Sequence, residues 1–271
     1  MRVIVIGAGG VGGWLTAGLA ATLAHTKDIP ADADRQLVIV DGDHFEPKNM
    51  ARQHFQAMGN KASIRTQELT PLYPGVDIID MPMWVVEEVP EGANDGDDSV
   101  EENTKAIAAK DLLAEEDIVF TVVDNFAARA TVIAAAAELD HVDVILAGND
   151  DAWFASMYHY QRRDGADVTD NPLWKPELAE PSDRNPGELS CAERAAIDGG
   201  TQNIWTNMLA AAIGGSRFVN TILRGNRPAE ADEIYHDLDL GRALGFDRSA
   251  AAEAPASESA EAPSAEEHQP A

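Results

Sequence analysis

Two stretches hold most of the residues with chemistry to offer. GAGGVG, residues 7 to 12, fits G-x-G-x-x-G directly after the apolar run RVIVI. Gly7 permits a tight turn, Gly9 lets a ligand approach the backbone, and Gly12 lets a helix pack closely on a strand. The free N–H groups of such a helix start, around Gly10, favour an anion. DGDHFEPKNMARQ, residues 41 to 53, follows the run QLVIV. Asp41 ends that run, where a carboxylate can accept hydrogen bonds from both hydroxyls of a ribose. Asp43, Asn49, Arg52 and Gln53 follow within twelve residues, and Lys61 opens the next helical pattern.

A glycine turn and an acid are shared with NAD enzymes, but hydride transfer has no need of Asn49, Arg52 and Lys61. A nucleoside triphosphate does, because its phosphate charge must be neutralised, and Arg and Lys act there as fork and point charge. Asp124 closes the run DIVFTVVD and adds a carboxylate suited to Mg²⁺. Any one of these residues alone is most simply a solvated surface group or a helix cap. The set reads as a nucleotide site.

The elements that must position this set follow the apolar pattern. RVIVI, QLVIV, VDIID, DIVFTVVD and VDVILAG are short β-branched runs separated by helical stretches, the pattern of a parallel sheet covered by helices. The first helix, GGVGGWLTAGLAATLAH, carries Val11, Trp14, Leu15, Leu19 and Leu23 at helical spacing. NKASIRTQELTPL, TKAIAAKDLLAE and NFAARATVIAAAAELD are the others expected before residue 150. WFASMYHYQR then reads as a more exposed antiparallel strand, and residues 162 to 190, rich in Pro, Asp and Asn, as a long functional or mobile loop. The longest helical pattern spans 200 to 224, with Ile204, Trp205, Met208, Leu209, Ala212 and Ile213 on one stripe. Core packing is its first reading and a subunit interface its second. EIYHDLDL is expected to be the last strand. The expected fold is therefore α/β and Rossmann-like, a mostly parallel sheet flanked by helices with a C-terminal antiparallel portion.

Composition sets the outer limits. The chain has 271 residues, enough for one large α/β domain, and a formal charge of −27, which argues against nucleic acid. Residues 87 to 103 carry eight acids and no base, and residues 249 to 271 five acids and no base. With only six lysines in the chain, adaptation to high salt and a preference for cationic partners explain the charge equally well. Residues 248 to 271, made largely of Ala, Glu, Pro and Ser, are expected to be disordered. The first apolar run ends in a glycine turn, so no secretory leader is expected. No run approaches the ~20 apolar residues of a membrane helix, and a soluble, cytoplasmic protein without a membrane partner is the expectation. Cys191 is the single cysteine, which excludes an internal disulfide and a cysteine-cluster zinc site.

The run DGDHFEPKNMARQ resembles the D-x-D-x-x-x-x-x-N-x-x-R-Q signature of the ThiF and MoeB type of ubiquitin-activating-like adenylyltransferases. FQAMGNKA is similar to their following G-x-K-A element, and DNFAARA to their D-N-x-x-x-R. With GAGGVG the resemblance covers residues 1 to about 150 in order, and continues weakly through ELSCAERAAIDGG and the long helix. The chain is most similar to the ThiF-related branch of PRTRC gene cassettes.

The resemblance implies one adenylation domain over residues 1 to 247, with the acidic insert at 87 to 103 and the 162–190 loop as a crossover segment over the substrate tail. It implies ATP and Mg²⁺ as cofactors, and adenylation of a carboxyl terminus, typically the C-terminal glycine of a small ubiquitin-like protein, with release of pyrophosphate. Asp41 becomes the ribose ligand, Asn49, Arg52 and Lys61 phosphate contacts with Gln53 nearby, and Asp124 the magnesium ligand and catalytic acidic residue. A homodimer is implied. Cys191 falls where some members carry a thiol that links covalently to the activated protein, although a lone Cys is more often a small buried hydrophobe.

Three departures accompany it. No counterpart of the family's N-terminal helix, whose arginine reaches the partner subunit's ATP, precedes the first strand, so reduced turnover is expected. The two C-x-x-C pairs of zinc-binding members are absent, and no zinc is expected. The acidic insert has no counterpart. A non-catalytic nucleotide-binding module of the same fold is the alternative to an active enzyme, and an NAD-dependent oxidoreductase the more distant one.

Overall fold

The computed structural model describes residues 1–91, 105–149, 153–189, 203–226 and 232–250. In chain order, β1 (Arg2–Ile6), α1 (Gly10–His25), β2 (Gln36–Val40), β3 (His44–Phe45), β4 (Gly59–Asn60), α2 (Lys61–Leu69) and β5 (Asp77–Met81) build the first half-unit. The second contains β6 (Trp84–Val86), β7 (Ala106–Ala108), α3 (Ala109–Leu112), β8 (Ile118–Thr121), α4 (Phe126–Ala136) and β9 (Val142–Asn149). The rest comprises β10 (Phe154–Arg163), β11 (Ala166–Asp167), α5 (Pro176–Ala179), α6 (Ile204–Arg217), β12 (Glu233–Asp237) and β13 (Arg242–Phe246).

The five β-branched runs form the parallel part of one sheet, in the order β9-β8-β1-β2-β5. β10, β12 and β13 extend it antiparallel beyond β9, and β11 pairs with β10. Side-chain alternation splits the core in two. Val3, Val5, Leu37 and Ile39 face a cluster containing Leu15, Leu19 and Leu23 of α1 and Ala210 of α6. Ile4, Ile6, Val38 and Val40 face Val132 and Ile133 of α4 and Leu112 of α3. From β1 the chain moves outward to β2 and β5, then crosses back to β8 and β9 on the other side. The crevice beyond the carboxyl ends of β1, β2 and β8 is therefore a topological switch point, where open α/β sheets bind ligands.

Four local expectations are corrected. Residues 106–108 of the TKAIAAKDLLAE run pair with β6 as a parallel strand, leaving only Ala109–Leu112 helical, because strand pairing overrides the helix propensity of alanine. β10 is largely buried, since it lies between β9 and β12 rather than at an edge. EIYHD is followed by one more strand, β13, which takes the edge.

The stripe chosen for α6 is not its core face. Its buried residues are Thr206, Asn207, Ala210, Ala211, Gly214 and Arg217, while Trp205 is 66% exposed and Ala212 is exposed. Leu209 and Ile213 are only partly buried. Small side chains let α6 approach α1 and the sheet closely, so the helix turns its smaller face inward. Beyond Arg217 it continues as a π-helical turn over Phe218–Leu223. Most of the acidic insert, residues 190–202 including Cys191, and the tail from residue 251 lie outside the described residues.

Candidate functional site

The carboxyl edge of the parallel strands opens into a cleft of about 230 Å³. The glycine turn makes its floor. Gly7 has φ +98°, and a Cβ there would meet Val123 at 2.9 Å. A Cβ on Gly12 would lie 1.8 Å from the Gly7 carbonyl oxygen, so α1 packs on β1 only with glycine at 12. Gly12 itself does not line the cleft, whereas Gly7, Gly9 and Gly10 do.

Asp41 stands at the tip of β2 with both oxygens already engaged. Oδ2 accepts from Ala8 N–H at 2.6 Å and Oδ1 from Asp43 N–H at 2.8 Å. The carboxylate thus ties the glycine turn to the loop after β2, and each oxygen has a second lone pair for a ligand hydroxyl. Burial pushes its carboxyl above the ordinary value, against the pull of the Lys61 charge. Lys61 is the first residue of α2, which Asn60 caps by accepting from Ser63 N–H at 3.0 Å. Its ammonium donates to Asp43 Oδ2 at 2.5 Å. Burial would lower Lys61, but the charges of Asp41, Asp43 and Asp124 outweigh it and hold the ammonium above its ordinary value. One buried cation therefore answers to three carboxylates from two different strand ends.

The stretch from 46 to 53 is a folded turn. Asn49 Oδ1 accepts from Glu46 N–H at 3.0 Å, and its carbonyl accepts from Arg52 and Gln53 N–H at 3.0 and 2.9 Å. Asn49 shapes this loop first and faces the cleft second. Gln53 lies against Gly9, and Lys48, Arg52 and Gln53 line the cleft.

The opposite wall comes from the Pro-rich loop. Asn185 donates to the Val85 carbonyl at 2.9 Å, and Asn125 donates to the Arg184 carbonyl at 2.9 Å. The Asp183 carboxylate accepts from Phe126 and Ala127 N–H at 2.8 and 2.9 Å, a second cap on α4 beside Asn125. The loop is thereby pinned across the strand ends, next to Asp124.

All the expected site residues converge on this cleft except Gly12, which packs behind it, and Cys191, which lies outside the described residues. Trp84, which lines the cleft, and Asn207, which packs behind Gly10, were not expected. Trp84 lies with its indole against Gly42, where a Cβ would come within 2.5 Å of the ring. Asn207 of α6 donates to the Arg52 carbonyl at 3.3 Å and fills the space a Cβ on Gly10 would need. Its Oδ1, like Gln53 Oε1, is buried with no hydrogen-bond partner among the described residues. A polar Asn inside an apolar helix was the only sequence sign of it.

Among the described residues no group of three His, Cys, Asp or Glu side chains is arranged to hold a metal. Asp124 is a single exposed carboxylate within reach of the Lys61 charge. That donor set fits Mg²⁺ arriving with nucleotide phosphates, which needs only one or two carboxylates, better than a resident ion.

A family model described as ThiF family matches residues 1–158. The structure of E. coli MccB with MccA-N7isoAsn superposes with a TM-score of 0.63 at 17% identity, covering 93% of this chain and 66% of that one. E. coli MccB with AMPCPP and selenomethionine MccA gives 0.59 at 17%, covering 92% and 65%. Selenomethionine PaaA gives 0.58 at 16%, covering 92% and 64%. The chain spans just under two thirds of the length of these structures, and the likeness is one of fold. No curated protein matches the chain.

Proposed function

The chain belongs to the ThiF family, and from that premise we propose that it adenylates a carboxyl group with ATP. The observation that carries this reading is Lys61, buried between Asp41, Asp43 and Asp124 in one cleft with the glycine turn and Arg52. The glycine turn and the start of α1 receive the phosphates, and Asp41 the ribose. The base then lies beyond Asp41, against Met83, Trp84 and Val85. A substrate carboxylate oxygen attacks the α-phosphorus, the bond from that phosphorus to the bridging oxygen breaks, and pyrophosphate leaves. The acyl adenylate remains. The protein's part is positioning and charge neutralisation by Arg52 and Lys61. Mg²⁺, held by Asp124 and the phosphates, would add positive charge on the leaving oxygens.

One structural relative, E. coli MccB, was crystallised with ATP and with AMPCPP. Its MccA complexes make a peptide or protein tail the first substrate to try. Our specific candidate is the C-terminal glycine of a small ubiquitin-like protein, acted on by a cytoplasmic homodimer of the PRTRC-cassette branch.

ATP–pyrophosphate exchange with candidate ubiquitin-like proteins and short peptides is the test. Exchange that depends on both Mg²⁺ and an added carboxyl terminus is expected, with Lys61→Ala and Asp124→Ala each losing about 10²-fold or more. Tight ATP binding without exchange for any carboxylate would leave a nucleotide-dependent binding module in its place. Preference for NAD(H) over Mg-ATP in calorimetry would favour an oxidoreductase, which leaves Arg52 and Lys61 without a task.

A further inference from the structure

A second hollow, of about 300 Å³, adjoins the nucleotide cleft on the side of the antiparallel strands. β9, β10 and β12 form its floor, α4 one wall, and the segment from Pro172 to Leu178 its cover. Both hollows are lined by Arg129 and Gly148. Arg129 donates through Nε to the Val123 carbonyl at 2.8 Å, and its guanidinium occupies the space a Cβ on Gly148 would need. A fixed cation therefore sits on the border.

The polar groups of this second hollow are largely engaged with each other. Tyr158 donates to the Asp170 carbonyl at 2.8 Å and Tyr235 to Glu233 at 2.6 Å. Lys175 is paired with Glu233, which Arg248 also contacts at 2.6 Å. Lys175 lies over the Tyr158 ring. Lys175 also lies over the Tyr235 ring and Arg129 over Phe126, so the apolar surface left to a ligand is mainly that of Leu146, Met157, Pro172 and Leu178 beside those rings. Such walls select an aliphatic or aromatic group over a charged one. The volume lies at the lower end of the roughly 300–1,000 Å³ typical of small-ligand pockets, and an extended glycine tail would leave most of it empty.

We propose that this hollow receives an aliphatic or aromatic side chain carried within the last few residues of the carboxyl substrate, so that the terminal carboxylate meets the nucleotide at Arg129. The inference rests on the adenylation reading for the identity of the ligand. It adds a specificity: the substrate tail is not glycine alone.

The test is calorimetric binding of synthetic peptides to the full chain loaded with Mg²⁺ and a non-hydrolysable ATP analogue. The peptides differ only in Gly, Leu or Phe at each of the last few positions. One methylene in an apolar pocket is worth roughly 10–200-fold, so a Leu or Phe tail should bind at least about tenfold tighter than an all-Gly tail. Ser156→Trp fills the hollow from β10 and should erase that preference, as should the smaller Ser156→Leu, with nucleotide affinity unchanged as the check of folding. Equal binding of the all-Gly tail, no binding by any peptide, or a preference that survives both variants overturns the proposal. Preferred peptides that bind but give no pyrophosphate exchange would count against adenylation while leaving the binding site standing.

Discussion

At the scale of single residues, the cleft depends on positions where a side chain is missing. Gly42 follows Asp41, and its bare Cα gives the Trp84 indole its place. Alanine there would put a methyl within 2.5 Å of three ring atoms. Overpacking of this kind costs about 1–3 kcal/mol, and relief requires the indole, which lines the cleft, to shift. Gly42→Ala should therefore lower the thermal midpoint and also weaken ATP binding, whereas Trp84→Phe should keep most of the affinity. A second readout is intrinsic fluorescence: ATP should quench the wild type measurably more than Trp84→Phe. Equal quenching in the two proteins would remove Trp84 from the base site.

At the scale of elements, the cleft wall at Asn185 and Pro186 is held through the start of α4 by the residues just before it. Asp183 accepts from two N–H groups at that helix end, while Asn185 reaches across to Val85. Losing a cap costs about 0.5–2 kcal/mol, and Asn125 still caps the helix through Ala128 N–H. Asp183→Ala should thus lower stability modestly in urea unfolding, yet weaken nucleotide binding more, because the loop is released from the strand ends. A loss of affinity no larger than the loss of stability would show that the wall is held by other contacts. The parallel strands and their switch point were legible because β-branched runs ending in Gly7, Asp41 and Asp124 carry both the element and its cleft-lining tip. β7 was not legible, since the alanines of AIAAKDLL favour helix and only the pairing with Trp84–Val86 makes a strand of them. The inward face of α6 was hidden for a related reason. Hydrophobicity nominated Trp205 and Met208, but close approach to α1 and to the sheet selected Ala210, Ala211 and Gly214. Asn207 meets Arg52 across 155 residues, a contact that no local pattern announces.

At the scale of the whole molecule, a formal charge of −27 means that the folded chain repels itself. Screening weakens that repulsion, with a Debye length of roughly 10 Å at 0.1 M and 3 Å at 1 M. The thermal midpoint should rise with added NaCl, and a flat response would show the charges too dispersed to matter. Mild acidification lowers the same repulsion, but two buried carboxylates set its limit. Burial alone would raise Asp143, yet the His159 hydrogen bond and the Arg163 guanidinium hold it below its ordinary 3.8. Burial would likewise raise Glu233, and Lys175, Tyr235 and Arg248 hold it below 4.5. A depressed carboxyl contributes stability that is complete above its unfolded value and is lost as pH falls through the folded one. Stability should therefore hold or rise from pH 7 to about 5 and then fall steeply below about 4. Arg163→Ala and Lys175→Ala each remove a depressing cation, so these variants should be less stable than the wild type at pH 7 and should lose less on acidification, giving a shallower acid limb. Urea midpoints followed from pH 7 to 3 measure the difference. Superimposable acid limbs would mean that the titration of other carboxylates, and not of this buried pair, brings the fold down.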